Sequence, residues 1–319
     1  VQRYVACASP LPRAVFADNY PSRPVRWLLP FPAGGPTDAI ARKLAEVTSK
    51  HIGQPIVVEN KPGASGAIGT AEVARAAPDG YTFAIAIPDS LISVASLIKS
   101  PGYDARKDLT PIMKICQAQP ILVANIGLRA NTIPELVKLA KAEPGHIAYG
   151  SWGAGTLPHL ILESLGKATG TTFLDVPYKG LSPALQDLIA NHVQLGIVPP
   201  ILARQLQEKG MVKPLAALGG QRAAELPDLS TIQEQGIETP VMKLALWTAL
   251  VGPKNLPDAM AKQWAQWLTE SGATPEFKSF MAINGQHILA RGPATFSREL
   301  KEEFAVTTAM IASLGIKPQ

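Results

Sequence analysis

Two glycine-rich turns are the stretches of this chain whose residue types and spacing could do chemistry. The first is Phe31-Pro32-Ala33-Gly34-Gly35-Pro36-Thr37-Asp38, and the second, of similar plan, is Tyr149-Gly150-Ser151-Trp152-Gly153-Ala154-Gly155-Thr156. A turn of this kind aims backbone N–H groups at one point just beyond a strand, at the positive end of the helix that follows. That geometry holds an anion without any catalytic side chain. Thr37 and Thr156 add hydroxyls at matching places. A tight strand-to-helix connection also calls for glycine, so either turn alone leaves anion binding and simple connection both open. Two such turns, about a domain's length apart, point to two lobes closing on one acidic small molecule.

The enzymatic readings of these turns fail on spacing. Ser151 has Gly153 two residues after it but Tyr149 two before it, and Ser65 has Gly63 before it but Ala67 after it, so neither sits on a nucleophile elbow. Neither turn contains a nucleotide P-loop or a Gly-x-Gly-x-x-Gly fingerprint. His51, His146, His159, His192 and His287 show no metal-ligand spacing, so no metal or cofactor is expected. His159 lies near the second turn, where local bonding and ligand contact are both open. Cys116, with Ile112, Ile115 and Ile121 nearby, reads as a core residue. Trp247 defaults to the core as well. Trp152 is hard to bury inside a glycine turn and reads as a cleft wall. Tyr178 and Lys179 precede a helix and offer a hydroxyl and a cation, although a solvated lysine is the commoner outcome.

The turns need strands and helices to position them. Val25-Arg26-Trp27-Leu28-Leu29 is long enough for a buried strand, and Ile40, Leu44 and Val47 stripe a helix capped by Thr37 or Asp38 and closed by Gly53. A strand at Ile56-Val57-Val58, a turn at 62–67, a short helix to about Ala77 and a strand from Tyr81 to Ile87 complete a βαβαβ unit. The order recurs from His146. A strand ends at Tyr149, Leu157, Leu160, Ile161 and Leu165 stripe a helix, and Thr172-Phe173-Leu174 is a strand. A helix from Pro183 to Ala190 and a strand from Val193 to Val198 follow. In such units ligands sit beyond the carboxyl ends of the strands, where both glycine turns lie. The last third reads as helical, over Ala259 to Leu268, Phe277 to Ile283 and Phe296 to Leu314.

At 319 residues, 46% of them hydrophobic and 17% charged, the chain suits two globular domains. The formal charge of +5 includes Arg3 and Arg13 in an expected leader. No basic stripe with interleaved aromatics appears, which argues against a nucleic-acid partner. Val15-Phe16-Ala17 resembles a signal-peptidase site, so 1–17 is read as the remnant of a secretory signal peptide. Removing it leaves Cys116 alone and no internal disulfide.

Several fragments together resemble the Bug family, the extracytoplasmic solute receptors of tripartite tricarboxylate transport systems. They are Pro21-Ser22-Arg23-Pro24-Val25-Arg26, the first glycine turn with Pro30 before it, Val58-Glu59-Asn60-Lys61-Pro62-Gly63-Ala64, Ala76-Ala77-Pro78-Asp79-Gly80-Tyr81-Thr82, Val176-Pro177-Tyr178-Lys179-Gly180 and Ser182-Pro183-Ala184-Leu185. The resemblance runs from about Tyr20 to the C-terminus. It implies an α/β, two-lobed periplasmic binding protein of the type II, Venus flytrap kind, with a parallel-rich mixed sheet flanked by helices in each lobe. Lobe one would be 20–123 plus 246–319 and lobe two 124–245, with the C-terminal helices packed on lobe one. The implied function is non-enzymatic: a periplasmic monomer captures a small carboxylate and delivers it to membrane transporter subunits. Presentation of the ligand to a membrane sensor is an alternative, and an enzyme on the same fold a weaker one.

Carried over by motif, the substrate-binding residues are Phe31, Gly34, Gly35, Pro36, Thr37 and Asp38 from the first turn. Ser151, Gly153, Gly155 and Thr156 come from the second, with Trp152 as cleft wall and Ser90 and Tyr178 as further candidates. Two departures bear on the ligand. Family members often carry an Asp-Asn type pair where this chain has Pro199-Pro200 after Val198, which argues against an amino acid. Trp152 stands where the family usually has a small residue, which makes an aromatic acid plausible beside a di- or tricarboxylate.

Overall fold

In a computed structural model of the chain, residues 20–239 and 244–317 are described, and the expected leader at 1–17 lies outside them. The chain opens with β1 (Val25–Leu29), α1 (Pro36–Ile52), β2 (Ile56–Asn60), α2 (Ala67–Ala74) and β3 (Thr82–Ala86). A wide helical turn at Asp89–Ser93 leads to α3 (Val94–Leu97), α4 (Ala105–Asp108) and β4 (Leu109–Ala118). Next come β5 (Ile121–Asn125), α5 (Ile133–Ala142), β6 (Ala148–Ser151), α6 (Leu157–Thr169), β7 (Leu174–Pro177) and α7 (Leu181–Ile189). They continue into β8 (Leu195–Val198), α8 (Pro200–Glu208) and β9 (Val212–Ala217). The final stretch holds β10 (Leu246–Pro253), α9 (Asp258–Ala273), α10 (Pro275–Ile283), β11 (His287–Arg291) and α11 (Pro293–Leu314).

Among the described residues the strands form two mixed sheets, ordered β11-β4-β10-β3-β1-β2 and β7-β6-β8-β5-β9. In the first, β1 runs parallel to β2 and β3 while β10 is antiparallel to β3 and β4. In the second, β6 is parallel to β7 and β8, and β5 is antiparallel to β8 and β9. Both sheets are covered on both faces, so their strands alternate between two cores instead of between core and solvent. Trp27 and Leu29 point into one core and Leu28 into the other, and Phe83 and Ile85 alternate likewise with Ala84 and Ala86. In the second sheet Leu122 and Ala124 face one cluster, Ile121 and Val123 the opposite one. Because β5 belongs to the second sheet, the chain crosses over between Ala118 and Ile121, slightly before the expected boundary at 123.

Several expected elements shift for local reasons. Helix α1 is capped by Gly35 and starts at Pro36, not at Thr37 or Asp38, since proline has no N–H to leave unsatisfied at the first helical position. Gly53 closes it in the left-handed conformation, as expected. Strand β7 starts only at Leu174, because the Thr171 N–H bonds back to Gly166 O at 2.9 Å and so belongs to the exit from α6. The C-terminal third is not purely helical: it supplies β10, a central strand between β3 and β4, and β11. The continuous apolar run of β10 lacks a period that would separate it from a buried helix.

Helix α11 does not pack on one lobe only. Phe296, Leu300 and Phe304 join a core of the first sheet, while Met310 and Ile311 join a core of the second. Cys116 is fully buried, as expected, and burial pushes its thiol up to about 12. No helix among the described residues is long and apolar enough to cross a membrane.

Trp264 is the hub of the first core. It is fully buried, with ring centroids 4.8 Å from Phe83 and 6.2 Å from Trp27, and its indole N–H donates to the Tyr20 hydroxyl at 2.7 Å. Trp264→Ala should cost about 3–5 kcal/mol of stability. Urea unfolding followed by circular dichroism measures it, and a loss below about 1 kcal/mol would contradict this packing account.

Candidate functional site

The carboxyl ends of the strands and the starts of the following helices converge on a cleft between the two sheets. Its main cavity, the one at which residues of both glycine turns meet, has about 100 Å³ and is walled on the first-sheet side by Phe31, the Gly35–Asp38 turn and the Ile87–Asp89 segment. Trp152, Leu157 and the 180–183 segment face these from the second-sheet side, and Leu246 and Trp247 contribute from β10. A second cavity, of about 290 Å³, adjoins it and shares Gly35, Pro36, Leu181, Ser182, Pro199 and Gln286. Among the described residues, no Lys, Arg or His lines the main cavity.

The first glycine turn is held in shape by its own polar groups. The Gly34 N–H, at a residue with φ +83°, donates to the Asp38 carboxylate at 3.1 Å, and Arg42 pairs with the same carboxylate at 3.0 Å. The Asn60 amide donates both to Asp38 and to the Phe31 carbonyl, each at 3.0 Å. Burial alone would raise the Asp38 carboxyl, but the bonds from Arg42, Asn60 and Gly34 hold it below the usual range. With the turn tied down, Thr37 and Asp38 sit in the first turn of α1, where helix geometry leaves their N–H groups without intrahelical acceptors. Both residues line the cavity.

The second glycine turn satisfies itself. The Trp152 N–H donates to the Thr156 hydroxyl, the Gly153 N–H to the Ser151 hydroxyl and the Gly155 N–H to His159 Nδ1. The Thr156 hydroxyl donates in turn to the Gly153 carbonyl at 2.7 Å. His159 thus bonds locally. At the start of α6 the Leu157 N–H donates to Asp89 Oδ1 at 3.0 Å across the cleft, and Pro158 has no N–H. Further donors on this side belong to α7. Gly180 caps that helix with φ +151°, so Leu181 and Ser182 present first-turn N–H groups to the cavity, while Pro183 has none.

Of the candidate residues, Phe31, Gly35, Pro36, Thr37, Asp38 and Trp152 line the main cavity, and Gly34 lines the adjoining one. Ser151, Gly153, Gly155 and Thr156 lie behind the wall and shape the turn. The Ser90 hydroxyl donates to the Ile87 carbonyl at 3.1 Å, and its neighbour Asp89 reaches the cavity instead. The Tyr178 hydroxyl donates to Asp187 at 2.6 Å, and burial together with that bond pushes it up to about 12. Trp247 is buried and also forms wall, its indole N–H donating to Glu303 at 2.7 Å. The Trp152 indole N–H is buried without a partner.

Sequence reasoning missed Asp89, Asn60 and Ser182. The position of Asp89 just past the end of β3 was the available signal, since ligand-facing residues sit there in such sheets. Asp89 is 2% exposed, and burial pushes its carboxyl up to about 7.

A family model described as "Tripartite tricarboxylate transporter family receptor" matches residues 40–316. A Cupriavidus necator protein described as "UPF0065 protein in gbd 5'region" is 37% identical over 307 residues, covering 96% of this chain and 92% of its own. Protein BugT of Bordetella pertussis is 35% identical over 244 residues, 76% of this chain and 74% of its own. Among solved structures, periplasmic binding protein BugD superposes with a TM-score of 0.86 at 33% identity, covering 94% of this chain and 100% of its own. An R. palustris protein solved with adipate gives a TM-score of 0.88 at 30% identity, with the same coverages.

The Asp89 carboxyl makes stability depend on pH. Its folded value near 7 lies above the ordinary 3.8, so the folded chain keeps a proton that the unfolded chain releases. The stabilisation is complete below the unfolded value and is lost as pH rises to about 7. Asp89→Asn does not titrate, so the native protein should gain on this variant in thermal melts as pH falls from about 8 to about 5. A difference that stays flat across that window would refute the assignment.

Proposed function

The chain belongs to the tripartite tricarboxylate transporter receptor family, and we propose on that premise that it is a periplasmic solute receptor. It closes its two lobes on a small carboxylate and delivers it unchanged to membrane transporter subunits. The observation that carries this reading is the pairing of two helix starts across a cavity that no basic side chain among the described residues lines. Thr37 and Asp38 at the start of α1 face Leu181 and Ser182 at the start of α7. Main-chain donors at a helix's positive end suit a carboxylate and need no side chain to be ordered on binding. The R. palustris protein solved with adipate supports the ligand class, and the description of BugD as a periplasmic binding protein supports the compartment. In this reading the jaw opposite α1 is the start of α7, and the glycine turn before α6 shapes the wall beside it.

Gly35→Asp tests the anion-binding end directly. Gly35 has φ −84° and ψ 168°, and an added Cβ would meet nothing closer than the Ser182 hydroxyl at 3.9 Å. Aspartate is also a favoured helix cap, so the melting temperature should hold or rise slightly. A fixed carboxylate at the cavity wall should weaken binding of hexanoate, benzoate or adipate at least about tenfold in isothermal titration. Unchanged affinity for an acid that the native protein binds would remove the start of α1 from the site.

A further inference from the structure

We propose that Asp89 sets the ligand class of this cleft, restricting it to a monocarboxylate whose far end carries no charge. The proposal rests on the carboxylate-receptor reading and deepens it. The cavity wall holds two carboxyl groups, and their surroundings differ. Asp38 is paired with Arg42 at 3.0 Å and bonded to Asn60 and the Gly34 N–H, so its charge is answered within the first turn. Asp89 has no ion-pair partner among the described residues, and its bond is the one from the Leu157 N–H at 3.0 Å. That N–H is the donor at the start of α6 that a second ligand carboxylate would otherwise use.

Besides the start of α7, which faces the α1 anchor, and the Trp152 indole N–H, this side offers few donors to a second anion. The neighbouring turn's N–H groups at Trp152, Gly153 and Gly155 are engaged by side chains of the same turn. The cavity's lining is mostly apolar and includes Ile87, Pro88, Leu157, Leu246 and Trp247, with Thr248 among its few polar residues. A dicarboxylate anchored at α1 would bring its second charge out of water into this surrounding, beside a buried acid with no cation among the described lining residues to offset either group. A neutral chain or ring meets no such cost and fills the apolar wall. Burial lifts the Asp89 carboxyl to about 7, so the repulsion grows as pH rises through that value.

Hexanoate and adipate share a six-carbon chain and differ by one terminal carboxylate, and benzoate and terephthalate form the matching aromatic pair. Isothermal titration of the full chain at about pH 8 should give each monoacid at least about tenfold tighter binding than its diacid. Asp89→Asn, which keeps an acceptor for the Leu157 N–H, should bring each pair to within about threefold. The native comparison stands by itself if that variant does not fold. Adipate binding the native protein as tightly as hexanoate overturns the proposal, and so does an unaltered preference in a folded Asp89→Asn protein. Tighter binding of 6-aminohexanoate than of hexanoate also overturns it, by making Asp89 an ammonium acceptor. In each of those cases the carboxylate-receptor reading survives, whereas binding of none of the four acids sinks both.

Discussion

The first N–H groups of every α-helix lack acceptors within the helix, and this chain brings the starts of α1, α6 and α7 to one cleft. Each start is handled differently. At α6 the Leu157 donor is taken by Asp89 from the opposite lobe. At α1 the Asp38 side chain turns back to the Gly34 N–H and leaves the Thr37 and Asp38 main-chain donors toward the cavity. At α7 the extended Gly180 cap does the same for Leu181 and Ser182. Prolines at Pro36, Pro158 and Pro183 further limit which donors exist. In the proposed receptor the binding surface is then defined by which helix starts the protein satisfies itself and which it leaves open.

Those starts converge because of the packing beneath them. Parallel neighbours β1, β2 and β3 end on the same side of the first sheet, and β6, β7 and β8 do so in the second. The two sheets are joined by more than the crossover segments. Helix α11 contributes side chains to a core in each lobe, and Leu97 from α3 reaches into a core of the second. Leu97 also packs against Gly155, whose φ of +71° and lack of a side chain permit the approach. The glycines of the second turn therefore serve lobe contact as well as turn geometry, which their spacing alone does not reveal.

Much of this was legible in the residues. The stripe Ile40, Leu44 and Val47 is buried on α1 as its period requires, and the two glycine turns do join strand to helix. Less legible was anything set by contacts distant in sequence. Ser90 and Asp89 are adjacent polar residues after β3, and only the three-dimensional arrangement decides that Asp89 reaches the cavity while Ser90 bonds to Ile87. Asn60 lies on β2, yet its amide ties down a turn some thirty residues earlier in the chain. The apolar run of β10 fits a strand or a buried helix equally well until its antiparallel partners β3 and β4 are known.

Among the described residues, Lys and Arg are placed away from the main cavity's wall. Arg42 is held by Asp38 on the helix behind the first turn, and Lys114 is buried beside Glu299 and Glu303 beneath Trp247. A cationic side chain in the cleft would attract acids strongly, but ordering its long stem would cost conformational entropy on each closure. Backbone N–H groups at a helix start are already ordered, and their partial charges fall off within a turn. Such an anchor discriminates weakly among acids by itself. In the proposed receptor, selectivity then comes from what surrounds the rest of the ligand, where a buried carboxyl with no ion-pair partner among the described residues acts on any second charge.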